Sequence, residues 1–213
     1  MFKFAGMELP YLKHVYNNTD KNMRTVEVPI INELVRRFDE SGQRRLTHQL
    51  EIGNVLSHYY YTYTHMTVVD RYEKRYNRTA AVYVQEDFME YYPAGLFDLI
   101  VSISTIEHIS HGKYVKDSTK IWQPYEIISH IRELLWPKGI AYVTVPVRYN
   151  ARLDKYLLEG HIGANLMGCM HRISDENEWE ECSLAQAFET DKHRPPGYAW
   201  STGMVVLRIN EEQ

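Results

Sequence analysis

The chain has 213 residues, 44% of them apolar, and a formal net charge of −4. That length and composition suit one α/β domain with a full core and exclude a disordered chain. The mildly acidic balance argues against non-specific nucleic-acid binding, which needs a basic face, and no apolar run is long enough to cross a membrane.

The opening stretch, MFKFAGMELPYLKH, lacks the continuous apolar segment of a signal peptide. Residues 1–27 read as polar and mixed, with a turn at Asn17-Asn18-Thr19-Asp20. From Val28 to Glu40 the apolar residues Ile30, Ile31, Leu34, Val35 and Phe38 recur at helical spacing, and Ser41-Gly42 stops the helix. Residues 46–52 form a first strand and residues 55–61 a short helix. Strands follow at 66–69, 81–84 and 97–102. The last of these, FDLIVS, is apolar at nearly every position, as a strand buried on both faces should be. A helix is expected over 125–135, then a turn at Trp136-Pro137-Lys138-Gly139 and a fifth strand over 140–145. A helix at 152–158 and strands at 169–173 and 204–209 complete the pattern, with a turn at Pro195-Pro196-Gly197. Alternating strands and helices imply a mostly parallel, doubly wound sheet with helices on both faces. Cys169 and Cys182 are too few for a disulfide framework and form no zinc pattern, so a cytoplasmic protein with reduced thiols is expected.

The chemistry concentrates at QLEIGNVLSHY, residues 49–59. An apolar strand reaches Glu51 and then Gly53. Seventeen residues on, a second strand ends in Asp70. Strand, tight turn, helix and a second strand ending in a carboxylate is how a Rossmann-type sheet holds a nucleoside. A dinucleotide also needs G-x-G-x-x-G, so that bare backbone can approach a pyrophosphate. Val55 and His58 stand at the second and third glycine positions and would crowd it. S-adenosylmethionine carries adenosine without a phosphate, and an E-x-G turn with a later acid suits it better.

Five segments, LEIGN at 50–54, VVDRYE at 68–73, VQEDF at 84–88, FDLIVSISTIEHI at 97–109 and LLWPKGIAYVTVP at 134–146, together resemble the class I S-adenosylmethionine-dependent methyltransferases. The similarity is to the small-molecule group with an EH motif after the fourth strand. It implies a Rossmann-like, mostly parallel seven-stranded sheet whose antiparallel last strand forms a hairpin with the sixth. It implies one methyltransferase domain over 1–213: an N-terminal lid segment at 1–45, a cofactor-binding core at 46–146, and a substrate-side segment at 147–213. The chain departs from the family at the turn, where Val55 and Ser57 replace glycines. Asn54 and Ser57 are expected to supply polar contacts there instead.

The resemblance assigns Asp70 to the ribose hydroxyls, with helix capping as its competing role. The Arg71 stem would pack on adenine. Glu51 would help bind the amino-acid end, and Gly53 permits the turn. Either Glu86 or Asp87 would meet the adenine amino group, Asp87 being favoured, with the Phe88 backbone at the ring edge. Ser104 lies just past the fourth strand, at the ligand edge of the sheet. His108 is the candidate base, because imidazole titrates near neutral pH; a structural histidine is the alternative. Glu107, Arg148 and Tyr149 are candidate substrate contacts, and Tyr11, Tyr16 and Arg24 candidate lid residues. Ser104 stands where a metal-binding E-x-x-E-H motif would have its first glutamate, so no metal is expected. The expected activity is methyl transfer from S-adenosylmethionine to a small molecule, at a hydroxyl. Ser102-Ile103-Ser104-Thr105 replaces the D/N-P-P-Y/F of amino-group methyltransferases of nucleic acids. A non-catalytic binding or regulatory protein of the same fold is the alternative.

Overall fold

A computed structural model describes residues 1–41, 48–59, 66–73, 82–112, 120–189, 193 and 201–210. Among them the chain forms β1 (Phe2–Phe4), β2 (Met7–Leu9), α1 (Arg24–Glu40), β3 (Gln49–Ile52), β4 (Met66–Val69), β5 (Val82–Val84), β6 (Phe97–Ile103), α2 (Pro124–Glu133), β7 (Leu135–Pro146), α3 (Ala151–Leu158), β8 (Asn165–Arg172), β9 (Trp179–Cys182), α4 (Leu184–Glu189) and β10 (Gly203–Asn210). The expected positions Gly42, Leu46, Tyr61 and Ala81 and the turn at 195–197 lie outside the described residues.

The sheet has eight strands in the order β5-β4-β3-β6-β7-β10-β8-β9. Strands β3 to β7 are mutually parallel where they pair. The last strand, β10, runs antiparallel between β7 and β8. The doubly wound, mostly parallel sheet with an antiparallel last strand is therefore present, with one strand more than expected. The addition is β9, antiparallel to β8 at the sheet edge. WEEC is too short and acidic to read as a strand. It forms because Trp179 is buried, its backbone N–H donating to the Tyr11 hydroxyl and its Nε1 to Asn177 Oδ1. Because β9 and α4 intervene, β8 and β10 are not a simple hairpin. Cys169 and Cys182, register partners across β8 and β9, are free thiols.

Alternate residues of β6 feed two cores. Ile100 joins α2 residues Ile127, Ile128 and Ile131, whereas Leu99, Val101 and Ile103 join α1 residues Val26, Ile30 and Leu34. Side chains alternate across a strand, so these clusters lie on opposite faces. The N-terminus, read as polar and mixed, belongs to the second core. Phe2, Phe4, Met7 and Leu9 point inward from a β1–β2 hairpin.

Helix α1 starts four residues before the expected Val28. Pro29 has no N–H, so the Thr25 carbonyl lacks its helical partner. Leu12 N–H supplies one at 2.9 Å, and the Thr25 hydroxyl donates back to Leu12 O at 3.0 Å. A contact from outside the helix thus lets it begin at Arg24. Helix α2 opens on a capping box, with Gln123 N–H donating to Glu126 Oε2 at 2.7 Å and Pro124 in the first turn. The expected turn at 136–139 is a bulge inside β7. Lys138 takes φ +73°, and the register against β6 shifts between Phe97 and Leu99.

Candidate active site

The carboxyl ends of β3, β4 and β6, with the segment past β5, surround a cavity of about 250 Å³. Ligands of open α/β sheets bind at this edge. Gly53 follows β3 at φ +85°, where a Cβ would stand 2.3 Å from Thr105 Oγ1, so only glycine fits. Its N–H donates to Val69 O at 2.9 Å, fixing the turn against β4.

Side chains organise the rest of the turn. Glu51 Oε1 accepts from the backbone N–H of Val55 at 2.8 Å and of Leu56 at 2.7 Å. Glu51 is buried and does not line the cavity; it caps the short 3-10 turn Leu56–His58 instead of facing a ligand. Burial pushes its carboxyl up to about 7, against the two backbone hydrogen bonds. Ser57 also stays off the cavity wall, its hydroxyl donating to Asn54 Oδ1. Asn54 does line the cavity and donates from Nδ2 to Glu73 Oε2 at 3.2 Å. Glu73 Oε2 lies 3.0 Å from His58 Nε2, and the Tyr16 ring stacks on His58 with centroids 4.0 Å apart. A network of side chains thus stands where the glycine pattern has bare backbone.

Asp70 lines the cavity past β4. Its Oδ1 accepts from Tyr72 N–H at 2.8 Å and Glu73 N–H at 2.6 Å, which folds the following loop. Burial raises its pKa, and these hydrogen bonds oppose the rise. Arg71, Asp87 and Phe88 are on the wall too. Arg71 Nη1 and Asp87 Oδ2 form an ion pair at 2.6 Å, and Asp87 Oδ1 caps Met89 N–H at 3.0 Å. Glu86 is exposed and off the wall.

Past β6, Ser104 lines the cavity at φ +41°. Thr105, Ile109, Ser110 and Trp122 extend that wall, and His108 is on it with its side chain one-third exposed. The Tyr149 hydroxyl lies 3.1 Å from His108 Nδ1, placing Tyr149 behind the imidazole. Glu107 is buried and off the wall, because the 3-10 turn Ile106–His108 points it into the protein. Burial pushes its carboxyl up to about 8, the Glu27 charge adding to this and Arg24 opposing it. Arg148 is also off the wall; its backbone N–H donates to Asp154 Oδ1 at 3.0 Å.

The three lid candidates separate. Tyr11 accepts from Trp179 N–H beside β9, Tyr16 stacks on His58, and Arg24 lines the cavity. Glu73 also lines it, and a wholly buried acid, Glu27, lies behind it; sequence reading singled out neither. Glu27 left one signal, an acid inside the apolar run Val26 to Ile31. Among the described residues no three of His, Cys, Asp and Glu gather as a metal site, and no helix is long and apolar enough to cross a membrane.

An acid past β4, a glycine turn past β3 and a cavity over both are the parts of a class I S-adenosylmethionine-dependent methyltransferase. Residues 51–189 match the family model of the methyltransferase domain, and the chain belongs to that family. It is an enzyme of that class, and its cofactor is S-adenosylmethionine. Solved structures similar to it include N-methyltransferase NodS from Bradyrhizobium japonicum WM9 in complex with S-adenosyl-L-homocysteine. NodS is 16% identical, with 91% of this chain and 90% of that one covered and a TM-score of 0.48. A TehB-like SAM-dependent methyltransferase from Corynebacterium glutamicum is 11% identical, covering 87% and 98%, with a TM-score of 0.45. Membership rests on the family match. No curated protein matches the chain by sequence.

Proposed function

We propose that this methyltransferase acts on a hydroxyl group of a small molecule, with His108 as the base. The carrying observation is the imidazole on the cavity wall, backed by the Tyr149 hydroxyl at 3.1 Å from Nδ1. In the tautomer that donates Nδ1–H to Tyr149, Nε2 keeps its lone pair and accepts the acceptor's proton. Glu107 Oε1, 3.8 Å from Nε2, lies close to the imidazolium that results.

The cofactor fits the residues present. Gly53 presents bare backbone on the cavity wall, packed so closely on Thr105 that no Cβ fits, and Asp70 stands one strand away to accept hydrogen bonds from ribose hydroxyls. S-adenosylmethionine supplies an electrophilic methyl on a sulfonium leaving group. The protein contributes alignment and removal of one proton. Asp87 and Phe88 are the adenine-side residues, and Trp122 and Ile109 are candidate walls for the acceptor.

The test is turnover on a panel of hydroxyl and amine acceptors with wild type and His108→Gln. The expected result is a loss of roughly 10²- to 10⁴-fold in kcat on hydroxyl acceptors, the usual contribution of general-base catalysis, with S-adenosylmethionine affinity retained. Methylation of amines alone, or undiminished turnover in the variant, refutes this reading.

A further inference from the structure

The cavity lining is ordered along the sheet. Asp87 and Phe88 follow β5, Asp70 follows β4, Gly53 follows β3, and Ser104 follows β6. These strands are neighbours in that order. A nucleoside with its base by Asp87 and its ribose at Asp70 carries its remaining chain over Gly53 toward β6. In S-adenosylmethionine that chain ends in an ammonium and a carboxylate. A carboxylate held in a partly enclosed site calls for a cation or a set of donors.

Two arginines line the cavity. Arg71 is paired with Asp87 at the adenine end. Arg24 is at the β6 end, where its Nη1 donates to Ile103 O at 2.9 Å and lies 3.5 Å from Glu27 Oε2. Glu27 has no exposure at all. Its Oε1 accepts from the Ser104 hydroxyl at 2.5 Å and the Thr144 hydroxyl at 2.9 Å. One buried carboxylate of α1 thus clamps the ends of β6 and β7 and holds two cavity residues, Arg24 and Ser104. Burying an acid this completely is costly unless it is paired and hydrogen-bonded. Here two of the three partners, Arg24 and Ser104, stand on the cavity wall, and the third, Thr144, is buried in β7.

We propose that Arg24 receives the α-carboxylate of S-adenosylmethionine and that Glu27 is the positioning residue that sets Arg24 and Ser104 for it. This rests on the reading that the cavity holds the cofactor. The guanidinium, tied through one nitrogen to the Ile103 carbonyl and backed by Glu27, keeps further N–H donors for a carboxylate.

The experiment is calorimetry of wild type, Arg24→Gln, Glu27→Gln and Asp70→Ala with two ligands, S-adenosylmethionine and its decarboxylated form. Arg24→Gln is expected to weaken the carboxylate-bearing ligand roughly 10- to 100-fold and the decarboxylated one by less than about 3-fold, the scale of a lost hydrogen bond to a charged group. Glu27→Gln loses affinity with the same selectivity, which a general loosening of the fold does not produce. Asp70→Ala weakens both ligands alike. Equal losses for both ligands in Arg24→Gln, or none, overturn the proposal while Asp70→Ala still weakens both. Unchanged binding in folded Asp70→Ala overturns the placing of the cofactor itself. Should Arg24→Gln not fold, Arg24→Lys is read in the same way, since it keeps the charge and loses the two-pronged fork.

Discussion

Gly53 carries a sharp constraint at the residue scale. Its φ of +85° and the 2.3 Å approach of a virtual Cβ to Thr105 Oγ1 leave no room for any other side chain. Gly53→Ala should destabilise the fold by about 1–3 kcal/mol, the cost of a strained backbone position, and lower S-adenosylmethionine affinity as the turn shifts. Urea denaturation together with calorimetry checks both; a variant equal to wild type in the two measurements removes Gly53 from the site. The residues around it show why a motif is only partly legible. Glu51 and Ser57 occupy expected positions in the chain, yet both turn into the protein to satisfy backbone N–H and Asn54. Spacing locates a residue along the strand and turn, whereas the direction of its side chain follows from which unpaired donors surround it.

At the scale of elements, the β1–β2 hairpin does more than close the N-terminus. Phe4 is wholly buried against Gly168, where a Cβ would meet the ring at 2.8 Å, and Ala5 N–H donates to Glu181 Oε2 of β9. The hairpin therefore covers the β8–β9 side of the sheet. Phe4→Ala should cost about 3–5 kcal/mol, as large aromatic truncations in a packed core do. A shift of the chemical denaturation midpoint corresponding to less than about 1 kcal/mol would mean that the hairpin is not part of the core. This element was hidden because three-residue strands give no periodic signal, and F-x-F and M-x-L are too short to separate from chance. By contrast α2 was legible to within two residues of its ends, since its apolar stripe of Ile127, Ile128 and Ile131 lies within the helix itself.

At the scale of the whole molecule, two buried acids make stability depend on pH. Burial pushes Glu51 up to about 7 and Glu107 up to about 8, from 4.5 in the unfolded chain. Above pH 4.5 the unfolded state releases protons that the folded state still holds. The folded state binds more protons in that window, so stability falls as pH rises, by at most about 1.4 kcal/mol per pH unit for each group. The fall begins near pH 4.5, ends near 7 for Glu51 and near 8 for Glu107, and has no counterpart at lower pH, where both states are protonated. Denaturation midpoints from about pH 5 to 8 should therefore decline, and less steeply in Glu107→Gln. Identical slopes in wild type and variant would show that Glu107 ionises as freely folded as unfolded. The sequence by itself determined the sheet class, the places of its parallel strands along the chain and the cofactor, because apolar runs, turn residues and strand-end acids are local in the chain. Only the tertiary structure decided that Arg24, far from the glycine turn in sequence, reaches the cavity with Glu27 buried behind it, while Glu107 and Arg148 stay off its wall. Those outcomes depend on how α1 packs across β6 and β7, and packing between distant segments is set by the shape of the assembled core.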